Sequence, residues 1–182
     1  MGSYRIFSVN CAPLMMMSYC IRFSLLVALL LPPQVVADNL HGRAVGIADG
    51  DTVTVLDDSN TQWKIRLMGI DAPEKKQAFG NKSKQSLSDL VFNKQVTVTY
   101  NKRDRYGRTV GKILVEGVDA NLEQVRKGMA WHYKQYQKEQ SKEDQYLYAQ
   151  AEAQAKKENR GLWFDKLPIA PWAWRKQLKT KH

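Results

Sequence analysis

Cysteine is almost missing from these 182 residues: Cys11 and Cys20 are the only two. Beyond residue 20 there is no thiol for a disulfide, a thiolate metal site or a cysteine nucleophile. Histidine is scarce too, with only His41, His132 and His182. None has a partner at ligand spacing, which excludes a zinc set of the usual nitrogen and sulfur donors. His132 reads as a surface residue rather than a catalytic one. There is no low-complexity tract and no internal repeat, and the extended apolar run Phe23–Leu31 is too short for the roughly 20 residues that span a bilayer. Acid is in the minority, 18 Asp and Glu against 28 Lys and Arg, for a net charge of +10. Such an excess attracts polyanions, because neutralising their charge releases condensed counterions.

The N-terminus carries its own signal. The apolar run follows Arg22, Pro32-Pro33 end it, and Val35-Val36-Ala37 places small residues where a leader peptidase cuts. Residues 1–37 are therefore expected to be a signal peptide, with Met15, Met16 or Met17 as alternative starts. Cleavage after Ala37 removes both cysteines, Arg5 and Arg22, and no acid, so the remainder stays basic. No lipobox precedes either cysteine, and the expected location is periplasmic or secreted. Residues 38–182 make one domain.

From Leu40 to Val115 the chain reads mostly as strands. Thr52–Leu56 alternates and ends at the turn Asp57-Asp58-Ser59-Asn60. Gln62–Met68 sends Trp63, Ile65 and Leu67 to one face and Lys64, Arg66 and Met68 to the other. Val96, Val98 and Tyr100 alternate, and Arg108–Val115 makes a further strand. Helices are predicted over 81–93, around Leu122, Val125 and Met129 with Asn121 as cap, and from Ser141 to Lys157 with Leu147, Ala151 and Ala155 as the apolar stripe. The aromatic tail, Leu162-Trp163-Phe164 through Trp172-Ala173-Trp174, is expected to pack on the domain. Strands first and helices later indicate an α+β fold, a small barrel with helices at one end.

Acids and arginines gather where these strands end. Asp49-Gly50-Asp51-Thr52 opens one strand and Arg66 lies on the outer face of the next. Asp71-Ala72-Pro73-Glu74 follows that strand, and Asp104-Arg105-Tyr106-Gly107-Arg108 forms a second turn. Each alone reads as an ordinary turn or a solvated side chain. Together they offer Asp51 and Asp71 as hard oxygen donors, suited to Ca²⁺ or Mg²⁺ and leaning to Ca²⁺. Glu74 could then orient or deprotonate a water, and Arg66 and Arg108 could clamp a phosphate through paired hydrogen bonds.

In this order the three segments closely resemble the staphylococcal (micrococcal) nuclease family. The likeness continues through Asn121–Ala130 and Ala151–Lys157 and closes at Asn159-Arg160-Gly161-Leu162-Trp163, covering about residues 42–165 and leaving 166–182 as a tail. The resemblance implies a mainly β, five-stranded OB-fold Greek-key barrel with three helices, and calcium-dependent endonucleolytic hydrolysis of DNA and RNA that gives 3′-phosphate ends. It implies Asp51, Asp71 and the Ala72 carbonyl as Ca²⁺ ligands, Glu74 as base or water-orienting group, and Arg66 and Arg108 as phosphate arginines. Ala72 stands where the family's well-known member has Thr. The loop Lys75–Gly80 looks shorter than in that member. Tyr133 and Tyr136, in Trp131-His132-Tyr133-Lys134-Gln135-Tyr136, resemble its base-stacking stretch, and no oligomerisation signal is present. Two other readings remain open: a non-catalytic OB-fold module that binds single strands, and a periplasmic adhesion or structural domain.

Overall fold

The computed structural model describes residues 38–180; the expected signal peptide and both cysteines lie outside them. In chain order the elements are β1 (Asp38–Asp49), β2 (Thr52–Asp57), β3 (Gln62–Leu67), β4 (Ile70–Asp71), α1 (Gly80–Val91), β5 (Gln95–Arg103) and β6 (Thr109–Val115). Then follow β7 (Val118–Asp119), α2 (Ala120–Arg126), β8 (Trp131–His132), a 3-10 turn (Lys134–Glu139), α3 (Lys142–Lys157), a second 3-10 turn (Gly161–Phe164) and α4 (Pro171–Lys179).

Five of the strands close on themselves. β1 lies between β2 and β5, all antiparallel, with β3 beyond β2 and β6 beyond β5. A parallel pairing of β3 with β6, Ile65 to Thr109 through Leu67 to Gly111, completes the ring. This is the five-stranded OB-fold barrel, closed over the three pairs between β3 and β6. Alternation fills the interior: Val53 and Val55, Ile65 and Leu67, Val96 and Val98, Ile113 and Val115 all point inward and are buried. Each such aliphatic side chain contributes about 1.5–3 kcal/mol when fully removed from water. Leu87 and Val91 of α1 and Val125 of α2 belong to the same core.

The helices differ from expectation in informative ways. α1 begins at Gly80, where a Cβ would lie 2.1 Å from the Glu74 carbonyl oxygen, so only glycine lets the helix abut that loop. It stops at Val91, and Asn93 beyond it turns left-handed with φ 60°. The cap of α2 is Asp119, not Asn121: Asp119 Oδ1 accepts from Leu122 N–H at 3.0 Å, the spacing a capping side chain needs. Asn121 instead is fully buried, accepting from Ile113 N–H and donating to the carbonyls of Met68 and Gly111. Ser141 caps α3 as its hydroxyl accepts from Asp144 N–H.

The buried face of α3 is Asp144, Tyr148, Ala151, Glu152 and Ala155, with Leu147 only half-buried. The stripe is rotated because two polar groups find partners inside. Tyr148 O–H donates to Asp119 Oδ2 at 2.8 Å, and Glu152 receives Lys134 and Lys156, both at 3.0 Å. The tail packs through Trp172, edge-on against Trp131, and through Trp174, whose Nε1 is buried, while Phe164 stays exposed. Its last part is a fourth helix, α4, with Pro171 in the first turn, where a missing N–H costs nothing. No described helix is long and apolar enough to cross a membrane.

Candidate active site

One end of the barrel opens into a cavity of about 540 Å³. Asp51, Arg66, Asp71, Ala72, Glu74, Arg108, Tyr133 and Tyr136 all line it. Arg175 of α4 lines it too, although nothing in its neighbouring residues points there.

The acidic side is assembled from two loops pressed together. Gly50 sits where a Cβ would fall 1.8 Å from the Ser83 hydroxyl and 2.8 Å from Ala72 Cβ, so only glycine lets the Asp49–Asp51 turn close against Ala72. Gln124, fully buried, donates to the carbonyls of Gly50 (2.9 Å) and Ser83 (3.1 Å) and fixes that approach. Asp51 Oδ2 accepts from Ala72 N–H at 2.7 Å, which joins the loop after β4 to the start of β2. β4 itself is held by β8, Asp71 opposite Trp131 and Ile70 opposite His132.

Two buried carboxylates thereby face one cation position. Arg66 Nη2 lies 3.0 Å from Asp71 Oδ1 and 3.2 Å from Asp51 Oδ2, and its Nη1 donates to the Leu67 carbonyl at 2.9 Å. Burial pushes the Asp51 carboxyl up to about 7; Arg66 opposes the rise, and the like charges of Asp49 and Asp71 add to it. Among the described residues no group of three or more acidic, histidine or cysteine side chains forms a ready cage. Two carboxylates and a backbone carbonyl fit a hard cation that keeps water in its remaining positions, as Ca²⁺ and Mg²⁺ do.

The opposite side is basic. Asp104 Oδ1 accepts from the N–H groups of Tyr106 and Arg108, shaping the turn, and Oδ2 accepts Arg108 Nε at 2.8 Å. Burial would raise the Asp104 carboxyl, but these bonds and the Arg108 charge hold it below its usual range. Tyr106, 69% exposed, stands beside the guanidinium groups of Arg105 and Arg108 at the mouth.

Glu74 is half-exposed at the rim, and its Oε1 accepts from Arg175 Nη1 at 2.7 Å. Tyr133 and Tyr136 meet edge to face with ring centres 5.0 Å apart. Tyr133 is also stacked under Trp172 at 5.2 Å and 8°, so one of its faces is covered, whereas Tyr136 is 45% exposed. His132 is buried, not on the surface: Nε2–H donates to Gln140 Oε1 at 2.9 Å. Burial lowers its pKa, so the ring stays neutral and structural.

A profile described as "Staphylococcal nuclease homologue" matches residues 64–165. The chain belongs to the staphylococcal nuclease family. It is 51% identical over 137 residues to an "Uncharacterized endonuclease" of Haemophilus influenzae, covering 75% of this chain and 74% of that protein. An "Uncharacterized endonuclease" of Escherichia coli is 43% identical over 142 residues, 78% of this chain and 88% of its own length. A "Micrococcal nuclease" of Shigella flexneri is 38% identical over 151 residues, 78% and 84% respectively. Asp71, Glu74 and Arg108 lie inside the segment matched by the profile, whereas Asp51, β1, β2 and α4 lie outside it.

Proposed function

We propose that the protein is an exported, calcium-dependent endonuclease that hydrolyses phosphodiester bonds of DNA and RNA with little sequence preference and leaves 3′-phosphate ends. The observation that carries this reading is the convergence of Asp51, Asp71, Glu74, Arg66 and Arg108 on one cavity. Export rests on the pattern Arg22, Phe23–Leu31 and Val35-Val36-Ala37.

Asp51, Asp71 and the Ala72 carbonyl would hold the calcium ion. When bound, such an ion neutralises phosphate charge and acidifies a coordinated water. Glu74, at the rim and open to solvent on one side, accepts a proton from the attacking water and aims it at phosphorus, while the P–O5′ bond breaks and the leaving 5′ oxygen takes a proton from solvent. Arg66, released from the two carboxylates, and Arg108, already oriented by Asp104, bind the non-bridging oxygens and stabilise the charge that grows there. Together these groups must lower a barrier by more than about 15 kcal/mol. The exposed rings of Tyr136 and Tyr106 offer flat surfaces to bases of any identity. A module that only binds strands gains nothing from three carboxylates among its arginines, since they repel phosphate unless a cation intervenes.

Steady-state cleavage by Glu74→Gln tests the reading. The expected loss in kcat is about 10²–10⁴-fold, the usual contribution of a positioned base. Turnover near that of the wild type would contradict it.

A further inference from the structure

Besides Arg66, a second guanidinium from outside the matched segment reaches Asp71 and Glu74. Arg175 Nη2 lies 2.7 Å from Asp71 Oδ2, and Nη1 lies 3.2 Å from Asp71 Oδ1 and 2.7 Å from Glu74 Oε1. One guanidinium thus engages both oxygens of the buried Asp71 and one of Glu74. Bonds of this charged, forked type are the strong ones, and two hydrogen bonds to Asp71 pin its carboxylate in plane. A divalent cation ligated by Asp71 would face this guanidinium at close range, and the two positive charges repel.

Arg175 does not arrive alone. One turn earlier on α4, Trp172 stacks on Tyr133. Just ahead of α4, the Ile169 carbonyl accepts from Gln77 Nε2, and Gln77 Oε1 accepts from Glu74 N–H at 3.1 Å. The loop that carries Glu74 and the segment that carries Arg175 are therefore tied together. The Arg175 side chain remains 40% exposed, so water can receive the guanidinium if it leaves.

We propose that Arg175 is the resident counter-cation of this site, a guanidinium that a divalent cation must displace from Asp71 and Glu74, so that α4 sets how much cation the protein needs. The proposal rests on the calcium reading of the Asp51–Asp71 pair. Occupancy by Ca²⁺ frees Arg175 to swing towards solvent or towards the bound polyanion, whereas in its absence the arginine keeps the acids neutralised.

Calorimetric titration of the purified wild type, Arg175→Gln and Arg175→Lys with Ca²⁺ alone, without nucleic acid, tests this. The expected result is a Kd for R175Q at least about fivefold below that of the wild type, as a competing ion pair is removed. R175K falls between them, because a single ammonium cannot bridge both acids in the same way. Near-UV circular dichroism confirms folding, and R175K carries the comparison if the glutamine variant does not fold. Equal or weaker calcium binding by the variants overturns the role of Arg175 while leaving the calcium reading intact. Absence of calcium binding to every protein overturns both.

Discussion

Asp104 Oδ2 grips Arg108 along one side, accepting Nε at 2.8 Å and lying 2.7 Å from Nη2. Among the described residues nothing bonds Nη1, so the free end of the guanidinium is the one directed to a ligand. Asp104 is a positioning residue that fixes where the arginine's donors point. Replacing it with alanine is expected to lower kcat by about 10–100-fold, the usual effect of removing a supporting carboxylate. KM should change much less, and activity of D104N should lie between the two. An unchanged kcat in D104A would show that Arg108 needs no such hold.

The raised carboxyl of Asp51 makes a statement about stability. Its folded value of about 7 lies above the ordinary aspartate value of 3.8. The stability this group contributes is therefore present below about pH 4 and lost as pH rises through about 7. Asp51→Asn removes that titration while keeping an acceptor for Ala72 N–H. In chelator, the variant should melt above the wild type at pH 8, by a smaller margin at pH 5, and level with it below about pH 4. A difference that is constant across pH would place the Asp51 carboxyl elsewhere.

Glu152 predicts the reverse trend. Burial would raise it, yet the hydrogen bonds from Lys156 and Lys134 hold it below the usual carboxylate range. Its contribution is present above the unfolded pKa and disappears as acid protonates it. Glu152→Gln should cost about 1–3 kcal/mol at pH 7, because the buried acid loses its charge-assisted bonds to two lysines whose stems lie partly in water. That cost should shrink at low pH in chemical denaturation. A neutral effect at pH 7 would mean the two lysines lie in water rather than on this acid.

The two tyrosines should separate in kinetics. Tyr136 exposes its ring, whereas Tyr133 already spends one face on Trp172. Tyr136→Ala should raise KM for single-stranded DNA by about tenfold, as loss of one stacked base costs about 1–3 kcal/mol. Tyr133→Ala should instead lower the melting temperature, since aromatic pairs contribute about 0.5–1.5 kcal/mol beyond burial. The opposite pattern would reverse their assigned places.

Much of this architecture is legible in local chemistry. Alternation in 52–56, 62–68 and 96–100 finds barrel strands because each has one wet and one dry face. Asp51, Arg66, Asp71, Glu74 and Arg108 declare themselves because charge at the ends of apolar strands has no packing use. What escaped depends on partners far along the chain. Asn121 has the residue type of a cap, but its bonds to Met68 and Gly111 cannot be read from its neighbours. Tyr148 and Glu152 break the apolar stripe of α3 because Asp119 and two lysines meet them. Arg175 was invisible for the same reason: the segment Pro171-Trp-Ala-Trp-Arg shows only an aromatic tail, and the acids it meets lie about a hundred residues earlier.

The central claim is that the acids at this end of the barrel work with calcium to cut nucleic acid. Purified protein should be incubated with linear DNA and, separately, RNA in millimolar Ca²⁺, then with a calcium chelator in excess, and the products run on a sequencing gel. The account predicts fragments of graded length in calcium, with 3′-phosphate ends, and intact substrate in chelator. Equal cleavage in both conditions, or none in either, would contradict it.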